Sequence, residues 1–113
     1  MVFSVIESVE QYNSYLTGEN NDDKLILAYF TAKWCGPCKT VSPILKRIGE
    51  EKSTVVVLKV DVDDCEEVSE MCEIECMPTF KFYKNNNLEC LETLSGADKE
   101  GLINIIQRLL KTQ

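Results

Sequence analysis

The spacing of apolar residues along this chain changes several times, and each change marks the edge of an element. Val2 to Ile6 is a short β-prone run, and from Ser8 onward Val9, Tyr12 and Leu16 recur at helical spacing until Gly18, which predicts a strand followed by a helix. The polar cluster Gly18 to Asp23 reads as a loop, and Leu25 to Phe30 is almost continuously apolar, as a central strand buried on both faces requires. From Pro37 through Lys52, Val41, Ile44, Leu45 and Ile48 share one helical face with Pro43 inside the pattern, which predicts one long helix kinked near its middle. Val55 to Val60 is a third strand, Glu66 to Cys72 a short acidic helix, and Thr79 to Tyr83 a strand just after Pro78. Asn85 to Asn87 can supply the left-handed backbone of a turn, so Leu88 to Leu94 is predicted as the second arm of a hairpin. After Gly96 an amphipathic helix is expected to turn Leu102, Ile103, Ile106, Leu109 and Leu110 inward.

The order β-α-β-α-β-α-β-β-α contains no repeat. Parallel crossovers followed by a hairpin give an α/β fold, a mixed five-stranded sheet flanked by four helices. With 113 residues and 44% hydrophobic composition, the chain can close one core but not two, so residues 1–113 are expected to form one domain without a disulfide staple.

Charge and cysteine content narrow the function. The net charge of −7 repels phosphate backbones and argues against nucleic-acid binding. No run approaches the roughly 18 apolar residues of a membrane span. The N-terminal segment has neither a basic start nor a sustained apolar stretch, so a mature, soluble, cytoplasmic chain is expected. In that reducing compartment six cysteines are catalytic, metal-binding or simply buried rather than a disulfide framework.

The chemistry concentrates at Cys35 and Cys38, in the segment Trp34-Cys35-Gly36-Pro37-Cys38-Lys39. At the start of a helix, residues i and i+3 have Cα atoms roughly 5 Å apart, inside the disulfide window. A thiolate there meets unpaired N–H groups and the positive end of the helix macrodipole, which lowers its pKa. Cys35, outermost, is then the nucleophile, and Cys38, one turn further in and shielded, the resolving thiol that releases a reduced substrate from the mixed disulfide. Pro37 fits the first turn, where its missing N–H costs nothing.

That six-residue segment resembles the active site of the thioredoxin family, and the resemblance extends over essentially the whole chain, through Met77-Pro78-Thr79-Phe80 and Ser95-Gly96-Ala97. Asp61 to Cys65 and Cys72 to Cys76 look most like the cytosolic thioredoxins of animals. The resemblance implies the thioredoxin fold, a cis Pro78 against the cysteines, and a Met77 backbone that pairs with an extended substrate peptide. It implies a shallow apolar groove rimmed by Trp34, Gly36, Pro37, Met77, Gly96 and Ala97. It also implies protein-disulfide reduction with no bound cofactor, recharging by an NADPH-dependent thioredoxin reductase, and clients such as peroxiredoxins and ribonucleotide reductase.

One position departs from the family. Where most thioredoxins carry a buried aspartate on the central strand, thought to accept the proton of the resolving thiol, this chain has Tyr29. A phenol with a pKa near ~10 is no substitute for a carboxylate base, so Cys38 is expected to lose its proton through water or another group, and more slowly. Lys59, which aligns with a lysine near that aspartate in some family members, is expected to lend positive field to the thiols. The plainer reading, Tyr29 as core volume, stays open beside it.

The other four cysteines divide. Cys65 and Cys72 at the ends of a helix would have Cα atoms about 10 Å apart, too far to bridge unless the helix unwinds. Cys76, on a loop near the active site, is a candidate for regulatory mixed or intermolecular disulfides, which would link two otherwise monomeric chains, with an exposed spectator as the other reading. Cys90 is expected to be a small buried strand residue without a role. The charge run Asp61 to Glu67 is expected to be a solvated surface. Two alternatives remain: a zinc site combining Cys35 and Cys38 with two of Cys65, Cys72 and Cys76, and an interaction or redox-sensing module with low turnover, for which Tyr29 is the support.

Overall fold

The computed structural model describes residues 3–18, 24–51, 54–84 and 87–111. Within them the strands are β1 (Phe3–Val5), β2 (Leu25–Thr31), β3 (Val55–Asp61), β4 (Thr79–Tyr83) and β5 (Glu92–Ser95), and the helices are α1 (Val9–Thr17), α2 (Cys38–Glu51), α3 (Glu66–Met71) and α4 (Lys99–Lys111). The sheet order is β1-β3-β2-β4-β5, with β1, β3 and β2 parallel, β4 antiparallel to β2, and β5 antiparallel to β4. This is the expected element order and the mixed five-stranded sheet with four helices.

The sequence pattern explains the placing. Every residue of β2 is buried, because its apolar run meets cover on both faces. Leu25, Leu27 and Tyr29 point to the core side that holds Val41 and Leu45 of α2 and Leu102 and Ile106 of α4, whereas Ile26, Ala28 and Phe30 point to the side that holds Tyr12 and Leu16 of α1 and Val68 of α3. Ser8 starts α1 by accepting the Gln11 N–H on its hydroxyl at 3.1 Å. Pro43 lies inside α2 on an exposed position. The ammonium of buried Lys84, just past β4, donates to the Leu109 carbonyl near the end of α4.

Four expectations are corrected. The second hairpin arm is shorter than Leu88 to Leu94: the Asn87 carboxamide accepts the Glu89 N–H at 2.9 Å in a local turn, the Leu91 N–H is the first to reach across to the Phe82 carbonyl, at 2.7 Å, and the strand itself begins at Glu92. Cys90 is accordingly partly buried and off the strand. Asn85 and Asn86 of the expected turn, and Lys52 of α2, lie outside the described residues. Ile103 does not face inward but is 39% exposed, since the buried stripe of α4 runs Leu102, Ile106, Leu109 and Ile103 sits about 100° round from Leu102. Asp61 is not solvated: it is 8% exposed, and its carboxylate accepts the N–H groups of Asp63 at 2.9 Å and Asp64 at 3.2 Å, closing the turn after β3.

Candidate active site

β2 ends at Thr31 and delivers the chain to Cys35 and the N-terminus of α2. Cys35 and Cys38 are joined by a disulfide with Cα atoms 5.4 Å apart, close to the roughly 5 Å expected at i, i+3 spacing. The Cys38 N–H, one of the otherwise orphaned donors at the start of α2, points at Cys35 Sγ at 3.2 Å. The next donors close tight turns instead, Lys39 N–H to the Gly36 carbonyl and Thr40 N–H to that of Pro37. In this oxidised form both cysteines are buried, Cys35 at 4% and Cys38 at 2% exposure, so the predicted contrast between an outer and a shielded thiol is not one of exposure. It is one of position: Cys35 precedes the helix, Cys38 is its first residue.

Around the disulfide the remaining predicted residues fall on one end of the sheet. The Met77–Pro78 peptide is cis, and Met77 packs against the core cluster that contains both cysteines. Gly96, with φ +94, donates its N–H to the Pro78 carbonyl at 2.8 Å, tying the β5 exit to the Pro78 segment. Gly36, Pro37 and Ala97 are exposed, and Trp34 presents 67% of its surface to solvent. Cys76 is exposed on the segment between α3 and Pro78, near the Thr79 hydroxyl.

Tyr29 is buried behind Cys38. Its hydroxyl donates to the Cys38 carbonyl at 3.0 Å and lies 3.2 Å from the Thr31 hydroxyl, and its ring stacks on Phe80 with centroids 5.5 Å apart. Burial pushes the phenol's pKa above its ordinary value, and hydroxyl hydrogen bonds from Thr31 and Ser42 only partly offset that. Tyr29 and Lys59 are paired in register across β2 and β3, and together with Cys38 and Ser42 they line a recess of about 160 Å³ that opens to solvent beside the resolving cysteine.

Three participants were not legible in the sequence. Asp63 accepts the Trp34 indole N–H at 2.8 Å, fixing the exposed ring beside the disulfide. Thr31 and Ser42 surround the Tyr29 hydroxyl. Trp34 and Asp63 are remote in sequence and meet only because β3 lies beside β2, so no local pattern announces them. Among the described residues, no group of three or more His, Cys, Asp or Glu side chains is arranged to hold a metal ion, which leaves the zinc alternative without a set of ligands there.

The family described as thioredoxin matches residues 4–108. The chain belongs to the thioredoxin family. Thioredoxin of Mus musculus is 45% identical over 98 residues, covering 87% of this chain and 90% of that protein, and thioredoxin of Homo sapiens is 46% identical over 88 residues, covering 78% and 82%. Among solved structures, a poplar wild-type thioredoxin h superposes with a TM-score of 0.88 at 31% identity over the whole of both chains, and Fasciola hepatica thioredoxin with 0.84 at 31% identity, covering 93% and 97%. This thioredoxin is a protein-disulfide oxidoreductase, with the Cys35–Cys38 pair as its redox-active disulfide. No helix of the described residues is long and apolar enough to cross a membrane.

Proposed function

We propose that residues 1–113 act as one reducing domain, in which Cys35 attacks the disulfide of a client protein and Cys38 resolves the resulting mixed disulfide. The observation that carries this assignment is the Cys38 N–H directed at Cys35 Sγ at 3.2 Å: in the reduced protein the same donor, with the helix terminus behind it, stabilises a Cys35 thiolate. The thiolate displaces one client sulfur and forms the mixed disulfide. The Cys38 thiolate then attacks Cys35 Sγ, the Cys35–Cys38 bond forms, and the second client sulfur leaves and takes up a proton. Two electrons pass from the pair to the client.

The groove for the client is rimmed by Trp34, Gly36, Pro37, Met77, Pro78, Gly96 and Ala97. Among the described residues no hydrogen bond occupies the Met77 main chain, which leaves it open to an extended peptide, and Asp63 holds Trp34 as an apolar wall. Tyr29, a neutral hydrogen-bonded phenol, positions the Cys38 carbonyl rather than accepting its proton, and Lys59 contributes positive field through the solvent-open recess. The chain works in the cytoplasm without a bound cofactor, as an electron carrier recharged by an NADPH-dependent thioredoxin reductase. Its clients include peroxiredoxins and ribonucleotide reductase. It acts as a monomer, with exposed Cys76 able to link two copies.

The deciding experiment is reduction of insulin disulfides with dithiothreitol as donor, and with NADPH and thioredoxin reductase in a second arm. Activity in the wild type that Cys35→Ser abolishes supports the assignment. An inactive wild type overturns it in favour of a low-turnover interaction or redox-sensing module, the reading that the absence of a carboxylate at Tyr29 favours.

A further inference from the structure

On the face of the sheet covered by α1 and α3, a recess of about 400 Å³ is lined by Cys72, Cys90, Tyr12, Tyr83 and Lys81. None of these residues belongs to the active-site constellation. Both cysteines are free thiols, partly buried, and both pack against the same core cluster. Both line this one recess, and both act on the Tyr83 phenol, although they come from distant elements. The Cys72 thiol donates to the Tyr12 hydroxyl at 3.7 Å, and Tyr12 in turn donates to Tyr83 at 2.7 Å. The Cys90 thiol donates to the Glu92 carbonyl at 3.0 Å and lies 3.5 Å from the Thr93 hydroxyl. Lys81, opposite Thr93 in register, reaches the same hydroxyl with its ammonium at 3.5 Å, so a cation shares the recess with both thiols.

Neither cysteine is held in a ladder. Cys72 ends the six-residue helix α3 and is followed by Glu73 at φ 55, where the chain turns, while Cys90 lies in the irregular stretch before β5. Neither residue belongs to a strand pair, so joining their sulfurs breaks none. From this we propose that Cys72 and Cys90 are a second dithiol–disulfide pair, oxidised by a hydroperoxide and separate from Cys35 and Cys38. The Cys90 thiolate attacks the O–O bond, one oxygen stays on sulfur as a sulfenic acid, and the other leaves as an alcohol or water. The Cys72 thiolate then attacks the sulfenyl sulfur, the S–S bond forms, and hydroxide leaves as water. Two thiols lose two electrons and two protons, and the peroxide takes them up. Cys72 is the second to react because partial burial pushes its thiol pKa up and keeps the proton on sulfur, where it is donated to the Tyr12 hydroxyl, while the Lys81 charge favours its thiolate once it forms. The bond would tie the end of α3, from which the chain runs on to Met77 and Pro78, to the start of β5.

The test is hydrogen peroxide treatment of the full chain, as wild type and as a Cys35→Ser/Cys38→Ser variant in which the active-site pair cannot take the oxidant. Free thiols are then alkylated and the chain is cut at glutamyl bonds without reduction. Cleavage at Glu70, Glu73, Glu89 and Glu92 separates Cys72 from Cys65, Cys76 and Cys90, so a disulfide identifies its partners directly. A linked pair of peptides, 71–73 with 90–92, is expected in both proteins. It should form several-fold more slowly in Lys81→Gln and be absent from Cys90→Ser, which should reduce insulin as the wild type does. Cys90 remaining fully alkylatable, or Cys72 linked to Cys65 or Cys76 instead, overturns the proposal. Because the readout is a disulfide map in protein that lacks the active-site pair, its failure is distinguishable from failure of the reductase assignment.

Discussion

The Tyr29 phenol donates to the main-chain carbonyl of Cys38 at 3.0 Å, so the residue behind the resolving thiol is a neutral donor held in place by Thr31 and by a ring stacked on Phe80. Its pKa is pushed above the ordinary tyrosine value by burial, which leaves it protonated across the neutral range.

Tyr29→Phe removes the hydroxyl and keeps the stack, and should cost about 0.5–1.5 kcal/mol in urea denaturation with little change in insulin reduction. Tyr29→Asp should cost more stability, on the order of 3 kcal/mol, because a buried aromatic is lost. If base assistance limits the wild type, Tyr29→Asp should nonetheless speed resolution of the mixed disulfide and give it a new pH dependence. An unchanged rate and pH profile would mean that Tyr29 is only packing.

Alkaline stability should report three phenols. Burial raises the pKa of Tyr12, Tyr29 and Tyr83 above the ordinary value. A phenol whose folded pKa lies above its unfolded value of about 10 carries no penalty below that pH. Above it, the unfolded chain releases protons that the native state retains, so stability falls as pH rises. Urea midpoints measured between pH 8 and 11 should be flat at first and then drop, and the drop should be shallower in Tyr12→Phe or Tyr83→Phe.

Gly96 holds φ +94 and donates to the Pro78 carbonyl, so the backbone conformation and not free space limits substitution there. Gly96→Ala should destabilise by about 1–3 kcal/mol and raise KM for a protein client more than for dithiothreitol. A KM that moves equally for both would detach Gly96 from the groove.

The register of α4 is testable by paired truncations. Ile106, 2% exposed, should cost about 2–5 kcal/mol as Ile106→Ala, whereas Ile103, 39% exposed, should stay within about 0.5 kcal/mol as Ile103→Ala. Thermal or urea unfolding distinguishes the two.

Much of this protein was determined by its sequence alone. The element order follows from where apolar spacing switches between periods, and the buried β2 from an uninterrupted apolar run, because these are local properties of the backbone and of side-chain direction. The redox pair was equally legible, since two cysteines three apart at a helix start carry their geometry with them. Tertiary structure decided what depends on partners far away in sequence. Asp61 reads as one more surface charge until the turn after β3 folds over it, and Ile103 reads as apolar helix face until the sheet fixes which stripe of α4 it covers. Trp34 meets Asp63, and Cys72 shares a recess with Cys90, only because the sheet brings their elements together. Spacing along a chain encodes what one element can do, but the distance between elements is set by packing, and packing is settled only when every element competes for the same core.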